Sequence, residues 1–148
     1  MPGDERIEDW QDKVTFESFG DAPLPDPIDF VTDVSADQSA GCERLEHYNI
    51  RSGLENNYPT SVRLLVCSES KQTKRGRVTL IKAIQGNDYF YVVTRAKRVP
   101  PVREPVDEDE EQAKPISEAE MARWSAYMRT IMVCDTQRAE HPCPADPA

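Results

Sequence analysis

Residues 75–99 read "RGRVTLIKAIQGNDYFYVVTRAKRV", two runs rich in β-branched and aromatic residues on either side of a polar "QGND". That pattern is a β-hairpin, with strands over 77–84 and 89–99. A two-residue Gly86-Asn87 turn fits the gap, because glycine supplies the positive φ that the twist of paired strands favours. The turn would pair Ile84 with Tyr89, Lys82 with Tyr91, Leu80 with Val93 and Val78 with Arg95. The other side of the ribbon would carry Ile81, Ala83, Phe90 and Val92, with Thr79 and Thr94 further out. Both sides are largely apolar near the turn, so each needs a cover.

One cover is legible downstream. In "ISEAEMARWSAYMRTIMVCD", residues 116–135, Ser117 precedes Glu120 by three positions, a capping box in which each side chain satisfies an unpaired backbone donor. Ile116 and Met121 are placed for the accompanying apolar staple. Met121, Trp124, Met128, Ile131 and Met132 fall along one side of a helix of ~3.6-residue period, with Tyr127 at its edge. A helix over 117–134 is expected.

Working outward, "SVRLLVCS" (61–68) reads as a further strand and "ESKQTKRG" as a polar loop. "WQDKVTFESF" (10–19) alternates Val14 and Phe16 with polar residues, giving a short edge strand anchored by Trp10 and Phe19. In "GDAPLPDPIDF" prolines at 23, 25 and 27 point to a stiff extended connector. A short helix or turn and then a strand near 46–51 are expected within 35–58, and "SGLENNYP" reads as a loop. The fold class is α+β: a small antiparallel sheet around 61–99 packed with one C-terminal amphipathic helix, flanked by extended Pro-rich and acidic arms. The chain divides into an acidic arm over 1–34, a domain over 35–134 that includes an acidic linker at 100–115, and a Pro-rich tail over 135–148.

Charge is distributed unevenly. The chain has 148 residues and a net charge of −9. Residues 1–60 hold 14 acids and 4 bases, residues 61–99 hold 2 acids and 9 bases, and residues 100–148 hold 11 acids and 5 bases. A basic middle thus lies between acidic flanks, and such asymmetry concerns partners more than fold. The candidate binding residues are Arg75, Arg77, Lys82, Arg95, Lys97 and Arg98, with Tyr89 and Tyr91 among them. The acidic run Asp107–Glu111 is either a solvated linker or a segment that visits the basic hairpin.

Several chemistries find no support. The string lacks GxSxG, HExxH, P-loop and GxGxxG motifs, and its two histidines include His141 in a Pro-rich tail. A non-enzymatic protein without cofactor or metal is expected. The cysteines at 42, 67, 134 and 143 form no CxxC pair and read as reduced structural thiols, the alternative being a metal site of Cys134, His141 and Cys143. The N-terminus has no apolar signal region and no stretch approaches the ~18 apolar residues of a membrane span. An intracellular location, cytoplasm or nucleus, is therefore expected, with no membrane partner.

Two functions compete. In the first, the basic ribbon and acidic arms make charge-complementary contacts with an acidic protein surface or with copies of the chain itself, as in an accessory or assembly protein. In the second, Tyr89 and Tyr91 stack on bases while the cations meet phosphates of single-stranded nucleic acid, with the acidic segments acting as autoinhibitors.

Overall fold

The computed structural model describes residues 12–20, 23–101, 116–135, 137–141 and 143. Trp10 and the acidic run 107–111 lie outside these residues. Within them the chain forms β1 (Asp12–Phe19), α1 (Pro27–Ala40), β2 (Leu45–His47), β3 (Arg51–Glu55), β4 (Tyr58–Cys67), β5 (Gly76–Gln85), β6 (Phe90–Val99) and α2 (Glu118–Thr130). The strands build one antiparallel sheet of six, ordered β1-β6-β5-β4-β2, with β3 also paired to β4. The fold is α+β.

The hairpin exists, but its register differs from the expected one. Gln85 pairs with Phe90, Ile84 with Tyr91, Lys82 with Val93, Leu80 with Arg95 and Val78 with Lys97. Each partner is displaced by two residues because the loop is four residues long, 86–89, closed by Gly86 N–H donating to Tyr89 O at 2.9 Å. A shift of two preserves the side each residue faces, since strand side chains alternate with period two. Hence the division into two apolar faces survives while every individual pairing moves. The two-residue turn belongs to another hairpin: Asn56 and Asn57 join β3 to β4 with φ of 52° and 65°. Asparagine tolerates this left-handed region, which a type I′ turn requires at both positions.

A helix covers each face of the sheet. Trp124 and Met128 of α2 close over Val78, Leu80, Val93 and Val99, with Met121, Ile116 and Ile131 packed at the margin. On the opposite face Val31 of α1 packs with Ile81, Ala83, Phe90 and Val92, flanked by Phe19, Phe30 and Val34. The Phe90 ring lies 4.9 Å from Phe30 and 5.1 Å from Phe19, offset contacts that add to area burial.

The helix α1 corrects the reading of the proline segment. Proline is excluded from helix interiors but suits the first helical turn, where its missing N–H has no helical partner. Pro27 occupies that turn, and Asp26 caps it, with Oδ1 accepting from Ile28 N at 2.8 Å and Asp29 N at 3.4 Å. Because β1 pairs along β6 and α1 packs on the sheet, the domain begins well before residue 35.

The tail is also tied in. Asn56 Nδ2 donates to Val133 O at 3.0 Å and Asn57 Nδ2 to Glu140 O at 2.7 Å, while His141, buried, stacks on Tyr58 with ring centroids 3.8 Å apart. The cysteines are not reduced thiols. Cys42 is bonded to Cys67 and Cys134 to Cys143, so neither member of the second pair offers a thiolate to a metal. Among the described residues, no cluster of His, Cys, Asp and Glu could hold one. No described helix is long and apolar enough to cross a membrane.

Candidate anion-binding surface

The antiparallel register sorts the basic residues of the hairpin onto two faces. Lys82, Arg95 and Lys97 share the α2 face with Val78, Leu80 and Val93, whereas Arg77 and Arg98 share the α1 face with Ile81 and Val92.

Every candidate cation on the α2 face meets a carboxylate of its own chain. Lys82, expected at the surface, is only 1 % exposed. Its Nζ donates to Glu55 Oε1 at 2.8 Å, Met128 O at 2.7 Å and Ile131 O at 2.7 Å. The last carbonyls of a helix have no intrahelical donor and carry partial negative charge. Lys82 therefore acts as the C-terminal cap of α2, supplied from the sheet. It cannot present charge to a partner.

Arg95 and Lys97 are also engaged. Arg95 Nη2 donates to Asp12 Oδ2 at 3.2 Å, and its guanidinium lies 4.8 Å from the Trp124 ring centroid, within cation–π range. Lys97 Nζ reaches both oxygens of Glu120, at 2.9 and 3.2 Å. Glu120 is the residue the capping box assigned to the helix start. Ser117 Oγ does accept from Glu120 N at 3.1 Å, but the carboxylate binds the sheet lysine. These three cations fasten α2 and β1 to the hairpin.

The α1 face differs. Arg77 and Arg98 stand directly opposite each other on β5 and β6, and like charges in that position are destabilising. The Arg77 guanidinium is held below the ordinary pKa of an arginine, first by burial and then by the charge of Arg98. Its Nε is buried without a hydrogen-bond partner among the described residues. At the same end of the sheet, the loop from β4 to β5 carries Lys71 and Lys74, both exposed, and the half-buried Arg75. Among the described residues, none of Lys71, Lys74, Arg75 and Arg77 forms an ion pair.

The loop has a definite shape. Ser70 Oγ accepts from Gln72 N at 3.3 Å and Thr73 N at 3.2 Å, and Lys71 N donates to Gly41 O at 2.9 Å. The Cys42–Cys67 disulfide fastens its base, with Cys67 opposite Arg77 in the sheet. Lys71 and Lys74 escaped the sequence reading, although "KQTKRGR" places four cations within residues 71–77. Their density was the available signal.

Tyr89 and Tyr91 sit at the other end of the hairpin. Tyr89 is 51 % exposed, and the two rings are 6.5 Å apart. At ~3.3 Å per strand residue, Tyr91 lies about 23 Å along β6 from Arg98. The aromatic rings and the basic loop end are thus at opposite ends of the hairpin. Nearby, burial raises the Tyr58 phenol above its ordinary pKa of 10.0, with Asp135 adding to the effect. Tyr58 Oη accepts from Asn87 Nδ2 at 2.9 Å.

No protein-family model matches the chain, and no curated protein matches it either.

Proposed function

We propose that the protein is a non-enzymatic interaction module that docks an acidic protein surface at the loop end of its sheet, through Lys71, Lys74, Arg75, Arg77 and Arg98. The observation that carries this reading is the Arg77–Arg98 juxtaposition across β5 and β6. Like charges placed opposite each other weaken a strand pair, and beside them Lys71, Lys74, Arg75 and Arg77 form no ion pair among the described residues, so an anionic surface has cations to meet. Charge complementarity of this kind selects partners and speeds encounter. The reading keeps the assembly role expected from the sequence and narrows its contact surface from the whole basic hairpin to the loop end of the α1 face. The acidic run 107–111 is a competitor for the same cations.

The two disulfides support a compartment that oxidises thiols rather than the cytosol or nucleus, where paired cysteines are rare. The single-strand nucleic-acid alternative receives less support, because stacking rings and cations need to interleave along one groove.

The test is fluorescence anisotropy of the full chain with labelled poly-L-glutamate and with labelled oligo-dT, at ~50 mM salt and rising. Binding of the acidic polypeptide, abolished in R77E/R98E and tightened by deletion of 107–111, supports the reading. Tighter binding of oligo-dT with a steep salt slope replaces it with the nucleic-acid alternative. Binding of neither probe contradicts both.

A further inference from the structure

The two edges of the sheet are finished differently. On one side β4 is bordered by two short strands, β2 with three residues and β3 with five. On the other side the edge strand is β1, eight residues without proline, whose outer backbone is paired with no described residue. An open edge of this length is a template for another strand, and natural folds usually blunt it with prolines, bulges or inward charges.

The side chains of β1 make the edge specific. On the α2 face Val14 is 37 % and Phe16 61 % exposed. Inward from them lies a groove of about 380 Å³ lined by Phe16, Ile84, Tyr91, Val93, Ile131 and Met132, among others. On the α1 face β1 carries Lys13 and Glu17, opposite Ala96 and Val92 of β6.

We infer that β1 pairs antiparallel with β1 of a second copy, in the register centred on Thr15, to give a two-fold dimer with a continuous twelve-stranded sheet. In that register Lys13 faces Glu17 of the second copy, and Glu17 faces its Lys13. Val14 faces Phe16 in both directions, and Thr15 faces itself. Opposite charges meet on one side and apolar residues on the other, which is the condition for cross-strand stabilisation. The segment is self-complementary, as a two-fold interface must be. Shifting the centre to Phe16 would oppose Lys13 to Phe19 and Glu17 to Thr15, losing both charge pairs. The contact uses neither Arg77 nor the basic loop, so it stands or falls independently of the acidic-partner reading.

Sedimentation velocity of the full chain over a concentration series, at ~0.15 M salt where charge is screened beyond ~8 Å, tests the inference. The native chain should show a monomer–dimer equilibrium. K13E and E17K each oppose like charges at two symmetric contacts and should raise the dissociation constant about tenfold, equivalent to ~1.4 kcal/mol. The double variant K13E/E17K restores opposite charges and should return the constant to near the native value. Far-UV circular dichroism should stay unchanged in all three. A chain that is monomeric at every concentration overturns the inference, as does a dimer indifferent to the single reversals or not restored by the double one.

Discussion

The two faces of the hairpin carry the same residue types and put them to opposite use. On the α2 face, Lys82, Arg95 and Lys97 each end on a carboxylate, two of them also on a helix carbonyl or a tryptophan ring. On the α1 face, Arg77 meets Arg98 across the strands. A basic ribbon read from sequence is therefore two things: structural fastening on one face, and on the other two guanidinium groups set against each other beside a basic loop. Counting lysines and arginines does not distinguish them, because the answer depends on which carboxylates the fold brings near.

The largest test of this contrast is Lys82→Met. Removing the buried ammonium leaves the Ile131 carbonyl and Glu55 without this donor and Met128 O with the Ile131 N–H alone. Breaking a buried, hydrogen-bonded pair from one side costs about 3–5 kcal/mol, which urea unfolding would register as a lower midpoint at constant slope. A loss below about 1 kcal/mol would show that Lys82 behaves as a surface ion pair, and the contrast between the faces would weaken.

Next in size is the disulfide at the base of the basic loop. C42S/C67S should lower the unfolding free energy by about 2–4 kcal/mol. It should also weaken acidic-peptide binding, because Cys67 lies opposite Arg77 and the loop cations lose their fixed base. Binding that is unchanged in a folded C42S/C67S chain would mean that the loop needs no pre-set geometry.

Smaller, and opposite in sign, is Arg77→Gln. Removing one of two facing like charges should raise the unfolding free energy by about 0.2–1 kcal/mol, and the gain should shrink as salt screens the repulsion in the native chain. A substitution that instead destabilises the domain would place Arg77 among the fasteners.

The mildest effect concerns pH at the far end of the ribbon. Tyr58 has its folded-state pKa raised above the ordinary 10.0 by burial and by Asp135. Its contribution to stability is therefore complete below pH 10.0 and is lost as the pH rises above that value toward the folded-state pKa. Thermal unfolding measured across this alkaline range should show the decline in the native chain and a flatter profile in Tyr58→Phe, with Arg77 variants indistinguishable from native.

Much of the architecture was legible. Period-two alternation identified the central strands and sorted Ile81, Ala83, Phe90 and Val92 from Leu80 and Val93, an assignment that a two-residue error in register does not disturb. The α2 helix was legible from its cap and its spiral of Trp124 and Met128. The α1 helix was not, because alternate prolines look the same whether the last one ends a connector or opens a helix, and only the capping bonds of Asp26 decide it. The sequence around Asn56-Asn57 indicates a loop without its geometry, since asparagine marks turns of many kinds. Least legible was the site. Arg95 meets Asp12 across 83 residues of sequence and Lys82 meets Glu55 across 27, pairings that no local pattern encodes. Arg77 and Arg98 were named from composition, but their confrontation depends on the four-residue loop that sets the register.

The division of labour between the faces is decided by a crossed comparison: unfolding free energy and poly-L-glutamate affinity measured together for K74Q/R77Q and for R95Q/K97Q. The expected result is that K74Q/R77Q keeps or gains stability and loses binding, while R95Q/K97Q loses stability and, where folded, keeps binding. The reverse assignment, with binding lost from the α2 face and stability lost from the other, would contradict it.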